Sequence, residues 1–161
     1  MDAHAFTSRV LVLGCGNALA GDDAAGPRVI DLLAGRPELP PDVVLLNAGT
    51  AIQDLLLDLA VADARPQRLV IVDATLAENR AAGEVWEVDL AAGPKGAATD
   101  LHAFPALTEL AMLRSALGVE VRVVAVQAGR IPVIPAEGLT PEVEAALPGA
   151  AGLVLAICRE P

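Results

Sequence analysis

Carboxylate and imidazole side chains fall at three places where their chemistry could be combined. In GCGNALAGDDAAG (residues 14–26) Asp22 and Asp23 follow a glycine-rich turn, Asp73 closes the apolar run RLVIV, and His102 stands in the stretch LHAFPA. Two carboxylates and one imidazole, Asp23, Asp73 and His102, would make an O,O,N donor set for a divalent cation, with positions left open for water or a substrate ligand. Each residue also has a plainer use. Asp is favoured at a helix N-cap, which Asp22 can supply to the helix that follows, leaving Asp23 free. Asp73 can close a strand with an Asx turn, and His102 can sit half-buried at a helix start.

Other chemistries fit the same residues less well. A GxGxxG dinucleotide turn would need glycine where Leu19 stands and an acid where the second strand ends in Asn47, and Asp22 and Asp23 would repel a pyrophosphate. A phosphoryl-accepting receiver places its acidic pair directly after the first strand and a lysine after the last. Here eight residues separate Leu13 from Asp22, and the corresponding late segment, VAVQAGRIPV, has no lysine. No Ser–His or Cys–His nucleophile pattern is present. Cys15 and Cys158 are far apart and form no CxxC, and both are expected as buried free thiols in a cytosolic protein.

These side chains need a scaffold, and the chain spells one out. Arg9–Leu13, Val43–Asn47, Leu69–Val72 and Val121–Val126 read as strands buried on both faces, being uninterrupted Val and Leu. Val85–Val88 is more polar and reads as an edge strand. Between them lie amphipathic patterns for helices over Ala24–Ala34, from an expected Thr50 N-cap to about Val61, and over Phe104–Leu117. Thr140 and Pro141 open a last helix to about Arg159, with a kink expected at Pro148. Residues 89–100 read as loop, from their Gly, Pro and Asp content. Strands alternating with helices predict a single three-layer α/β/α domain, residues 9–161, with a mostly parallel five-stranded sheet and helices on both faces, after a flexible N-terminus at 1–8. In such folds ligands bind beyond the C-terminal strand ends, which is where Asp22–Asp23, Asp73 and His102 are expected to meet.

Composition narrows the partners. The chain has 161 residues, is 54% hydrophobic but only 2% aromatic, and has a formal net charge of −10. Its single lysine is Lys95 and its arginines form no basic run, so neither nucleic acid nor an anionic membrane surface is an expected partner. The N-terminus lacks a signal-peptide pattern, and the longest apolar run (145–158) is short for a membrane span and contains Pro148.

Three stretches, GCGNALAGDDAAGPRV (14–29), VIVDA (70–74) and GLTPEVEAAL (138–147), together resemble the maturation endopeptidases of nickel–iron hydrogenases. The resemblance covers about residues 9–158 in the same order of elements. It implies a cytoplasmic protease that removes the C-terminal extension of a hydrogenase large-subunit precursor once nickel is inserted. It further implies that Asp23, Asp73 and His102 bind metal, that Asp23 and Asp73 carry the catalysis, and that Gly16, Asn17, Gly21, Asp22, Gly49 and Thr50 shape the loops or touch substrate. The ion read would be nickel already in the precursor, with zinc or cadmium as surrogates. His102 is the only histidine in the body of the chain, the other being His4. Two departures flank the site. The family often has Asp-Gly-Gly-Thr-Ala-Gly after the second strand, where this chain has NAGTAI (47–52), and Gln-Pro or Glu-Pro after the last strand, where it has Gln127, Ala128 and Gly129. The competing function is a non-hydrolytic metal-sensing or chaperone module for a metalloenzyme precursor.

Overall fold

A computed structural model describes residues 3–90, 110, 113–115 and 118–161 of the chain. His102, the 91–100 part of the expected loop and most of the helix expected over 104–117 lie outside these residues.

The first strand, β1 (Val10–Cys15), is buried along its whole length. It pairs in parallel with β2 (Val43–Gly49) on one side and β3 (Arg68–Thr75) on the other. β3 in turn pairs in parallel with β5 (Glu120–Gln127), whose outer edge carries the short antiparallel β4 (Val85–Glu87). The order is β2-β1-β3-β5-β4, with β4 at the margin as its polar alternation suggested.

Strand periodicity divides the core in two. Leu11, Leu13, Leu69 and Ile71 face α3 (Ile52–Val61), which offers Leu55, Leu56 and Leu59, and the same cluster takes in Leu110 and Leu113. Val10, Val12, Val70 and Val72 face α2 (Ala25–Ala34) and α4 (Pro141–Arg159). With hardly any aromatic side chains, this second layer is filled by Val, Leu and small residues such as Ala25, Ala150 and Ala151. Each fully buried leucine contributes roughly 1.5–3 kcal/mol. These are the three layers expected.

Several boundaries differ from the sequence reading. β1, β2, β3 and β5 run one to three residues further at their C-terminal ends, because ladder pairing continues past the last large apolar side chain, whereas β1 starts one residue later and β4 stops one residue earlier than expected. Thr50 does not cap α3, whose N-cap is Ala51, with no side-chain hydrogen bond. Within the N-terminal segment expected to be flexible, Ala3–Thr7 form a short helix, α1, because Ala5 and Phe6 find cover against the core. α4 is assigned without a break through Pro148. By length and composition α4 could cross a membrane. Here it packs Val143, Leu147, Val154 and Ile157 on the sheet, so its apolarity is accounted for by the core.

The strand order positions the site. The chain leaves β1 through α2 to β2 on one side, then returns through α3 to β3 on the other. Right-handed crossovers of that kind put the two helices on opposite faces and open a crevice where the order reverses, between the C-terminal ends of β1 and β3. Gly14 stands opposite Val72, so the chain emerging from β1 passes beside Asp73.

Candidate active site

Close backbone approaches carry the acidic loop onto the sheet edge. Gly16 has φ +117°, and a Cβ there would lie 1.8 Å from the Asp23 carbonyl oxygen. At Gly26, near the start of α2, a Cβ would meet the carbonyl oxygens of Cys15 at 2.2 Å and Val72 at 2.5 Å. Only glycine at both positions lets the 3-10 turn Gly21–Ala24 and the start of α2 press against the ends of β1 and β3.

Asn17 holds this loop from within. Its Oδ1 accepts from Leu19 N–H (2.9 Å), its carbonyl accepts from Ala20 N–H (3.0 Å), and its own N–H donates to Asp23 Oδ2 (2.7 Å). Asp23 is thereby fixed at the cleft, half-buried, with its second oxygen unbonded among the described residues. Asn17 therefore acts on the acid and does not itself line the cleft.

Asp22 has a different role from the expected helix cap. The N-caps at this place are Ala20 and Ala24, and neither shows a side-chain hydrogen bond. The Asp22 side chain is instead wholly buried and crosses to a loop more than a hundred residues on. Its Oδ2 accepts from the N–H of Gly129 (2.8 Å), the N–H of Arg130 (2.8 Å) and the Thr140 hydroxyl (3.0 Å), and its Oδ1 from Thr140 N–H (2.6 Å). Burial pushes its carboxyl up, but the Thr140 and Arg130 N–H groups, the Thr140 hydroxyl and Gly129 N–H outweigh it and hold the group below the ordinary carboxylate range. Thr140, expected to cap α4 with its side chain, spends its hydroxyl on Asp22. Backbone bonds complete the strap, Gly21 N–H to Ala136 O (2.8 Å) and Asp22 N–H to Arg130 O (3.1 Å).

Opposite Asp23, Asp73 is half-buried near the end of β3, its Oδ1 accepting from Ala74 N–H (2.8 Å). That bond is the local turn anticipated for this residue, yet β3 continues through Thr75. Burial and the neighbouring Asp23 charge raise the Asp73 carboxyl to about 7, against a partial counter-effect from Ala74 N–H. Among the described residues neither Asp23 nor Asp73 takes part in an ion pair. The two therefore form a pair of acids with no compensating basic side chain among the described residues.

Both line a cleft of about 270 Å3 that also takes in Cys15, Gly49, Thr50 and Thr75. Gly49 turns the chain after β2 with φ +53°, its N–H donating to Asn47 Oδ1 (3.0 Å) and its carbonyl accepting from Gly16 N–H (3.0 Å). Asn47 thus does in neutral form the loop-holding work that an aspartate could do there. Cys15 is no nucleophile, because burial, with Asp73 and Asp23 nearby, pushes its thiol far above the usual range. Among the described residues no group of three metal-ligating side chains forms, since the imidazole proposed as the third, His102, lies outside them.

Two residues of the site were not picked out as functional in the sequence. Gln127, buried at the end of β5, accepts from Ala77 N–H (3.1 Å) and donates to Ala77 O (3.3 Å), fixing the turn after β3. Thr75 shares a face of β3 with Asp73, and their two-residue spacing is the one signal that could have found it.

Comparison with known proteins agrees with this architecture. A family model described as hydrogenase maturation protease matches residues 27–157, a stretch that includes Asp73 and begins just after Asp23. The coenzyme F420 hydrogenase subunit delta of Methanothermobacter thermautotrophicus is 30% identical over 154 residues, 93% of this chain and 94% of its own. The hydrogenase 2 maturation protease of Escherichia coli is 43% identical over 75 residues, a match spanning 47% of this chain and 43% of that relative, less than half its length. Among solved structures, the hydrogenase maturating endopeptidase HybD from E. coli superposes with a TM-score of 0.72 at 34% identity, covering 94% of this chain and 92% of its own. The hydrogenase maturation protease HycI from Thermococcus kodakarensis gives 0.72 at 25% identity, covering 95% and 94%. A mostly parallel five-stranded α/β/α fold, an acid-lined cleft at its switch point and a family match over most of the length have one reading: the chain belongs to the hydrogenase maturation protease family.

Proposed function

We propose that this chain is an endopeptidase that removes the C-terminal extension of a nickel–iron hydrogenase large-subunit precursor, reading nickel in that precursor through Asp23, Asp73 and His102. The observation that carries this is the meeting of Asp23 and Asp73, from separate elements, in one cleft with no ion-pair partner among the described residues. Two such carboxylates repel one another, and a cation brought by the substrate relieves that repulsion. His102 supplies the nitrogen donor, and its assignment rests on the sequence. Three ligands bind a free ion weakly, so the precursor's own ligands must provide most of the affinity, and docking then reports that nickel is in place.

The hydrolysis itself adds water across one peptide bond. Asp23 is the base in this reading, because its carboxylate is held by Asn17 N–H through one oxygen and leaves the other for a water proton. The hydroxide equivalent attacks the scissile carbonyl, the C–N bond breaks, and the proton passes to the leaving amine. O,O,N ligands discriminate poorly between divalent metals, so zinc or cadmium can substitute in crystals. The free thiols Cys15 and Cys158 suit a reducing cytoplasm, where the precursor would be met.

Mass spectrometry of nickel-loaded precursor incubated with the purified protein tests the reading. The wild-type chain should release the C-terminal peptide, whereas Asp23→Ala should lower the rate at least ~100-fold with the fold intact, a loss in line with the contribution of a general base. Stoichiometric binding with no cleavage by the wild type would instead support the non-hydrolytic chaperone.

A further inference from the structure

We propose that the loop 131–134, with the sequence IPVI, is a docking surface for the precursor and grips an apolar stretch of its chain beside the scissile bond. This rests on the peptidase reading above and adds to it a surface that depends on the precursor's sequence. Val133 is fully exposed and Ile134 is 78% exposed. Single exposed apolar side chains are ordinary, but adjacent β-branched ones standing in water beside a cleft mark a contact surface. Ile131, in the same loop, lines the cleft with Asp23 and Asp73, and so does Leu76, which is 56% exposed. The loop therefore begins at the candidate active site, and a polypeptide leaving the cleft past Ile131 meets Val133 and Ile134 next.

Both ends of the loop are tied to the turn that carries Asp23. Arg130 N–H donates to Asp22 Oδ2 (2.8 Å), Gly21 N–H to Ala136 O (2.8 Å) and Ala136 N–H to Leu19 O (2.9 Å). Pro132 packs on Gly21, where a Cβ would lie 2.9 Å from the proline Cδ. Pro132 and Pro135 fix two φ angles and bring no N–H, so the loop presents side chains and not a strand edge for a second copy to pair with. A surface ordered in advance loses little entropy when its partner arrives. The net charge of −10 opposes an anionic bilayer. The precursor, whose chain already lies in the cleft, is the occupant that remains. Contact with nickel reports the metal alone, whereas burial of Val133 and Ile134 makes the grip depend on the chain around it.

The double variant Val133→Ser, Ile134→Ser removes this surface and leaves the cleft acids in place. With nickel-loaded precursor, KM should rise about tenfold or more, the range expected when two such side chains lose their cover, and kcat should stay close to wild type. Equilibrium binding of the same precursor, read by surface plasmon resonance, should weaken by the same factor. A matched control, Leu57→Ser with Val61→Ser, removes exposed apolar surface from α3 and should leave KM and affinity unchanged. Wild-type KM and affinity in the 133–134 variant would overturn the proposal, and so would an equal loss in the α3 control. A fall in kcat alone would also overturn it, because the loop would then act through Asp23. A wild-type dimer in sedimentation that the 133–134 variant breaks into monomers would assign the surface to a second copy instead. If the wild type binds the precursor without cutting it, the peptidase reading fails, while the comparison of affinities still decides the docking surface.

Discussion

Asp73 keeps its proton to about pH 7 in the folded chain, because it is buried beside Asp23. In the unfolded chain the same carboxyl ionises near its ordinary value of 3.8. Between the two values the folded state holds the extra proton, so this group lowers stability progressively as pH rises through the window and levels off above it. The slope from one such group is at most about 1.4 kcal/mol per pH unit. Asp73→Asn should therefore raise the melting temperature of the metal-free protein at pH 8 and leave it unchanged at pH 4. Calorimetry across that range checks it, and an equal effect at both pH values would assign the gain to packing. The acid types at the strand ends could be read from sequence, because an apolar strand followed by a polar residue marks the sheet edge. Their mutual repulsion could not, since it depends on how close two separate elements come.

At the scale of elements, Asp22 joins three parts of the chain: the acidic loop, the segment 129–130 and the start of α4. Its neighbour Asp23 is held at the cleft by the same loop, so the strap positions the acid as well as stabilising the fold. Asp22→Ala would take the shared acceptor from the Gly129, Arg130 and Thr140 N–H groups and leave a hole where a wholly buried side chain stood. We expect a loss of about 3 kcal/mol or more in a denaturant titration, well beyond the ~1 kcal/mol of a simple cap. A cost near 1 kcal/mol would contradict this role. Its carboxyl is held low, so the stabilisation is complete above the ordinary carboxylate value and is lost as pH falls through the lower folded one. From sequence, Asp22 is a structural residue with a local partner, the helix it would cap, but in the fold its partners are distant. A helix cap is a local pattern, visible within four residues, whereas Gly129 and Thr140 are brought to Asp22 only by the fold. Thr50 misleads for the same reason, since a favoured cap type is no guarantee of the bond when Ala51 takes the position.

Across the whole molecule the two ends of the sheet are built differently. At the N-terminal edge, buried Arg68 donates to Glu120 (2.8 Å) and to the carbonyls of Ile157 (2.8 Å), Glu160 (3.1 Å) and Pro161 (3.1 Å), locking the chain's C-terminus in place. At the C-terminal edge, glycines allow close approach and two carboxylates share one cleft with no ion-pair partner among the described residues. The layers and the parallel sheet were legible from uninterrupted runs of Val and Leu interleaved with helical patterns, whereas the order β2-β1-β3-β5-β4 was not, because hydrophobic patterning sets which face is buried and not which strands are neighbours. That order nonetheless creates the crevice in which the account places nickel recognition. The most direct test compares cleavage of nickel-loaded and nickel-free precursor by the purified protein, read by mass spectrometry of the released peptide. The account predicts cleavage of the loaded form only, with His102→Ala sharply slower, and no rescue when free nickel is added to the protease before nickel-free precursor. Efficient cleavage of the nickel-free precursor, or full activity in His102→Ala, would show that the metal is not what the cleft reads.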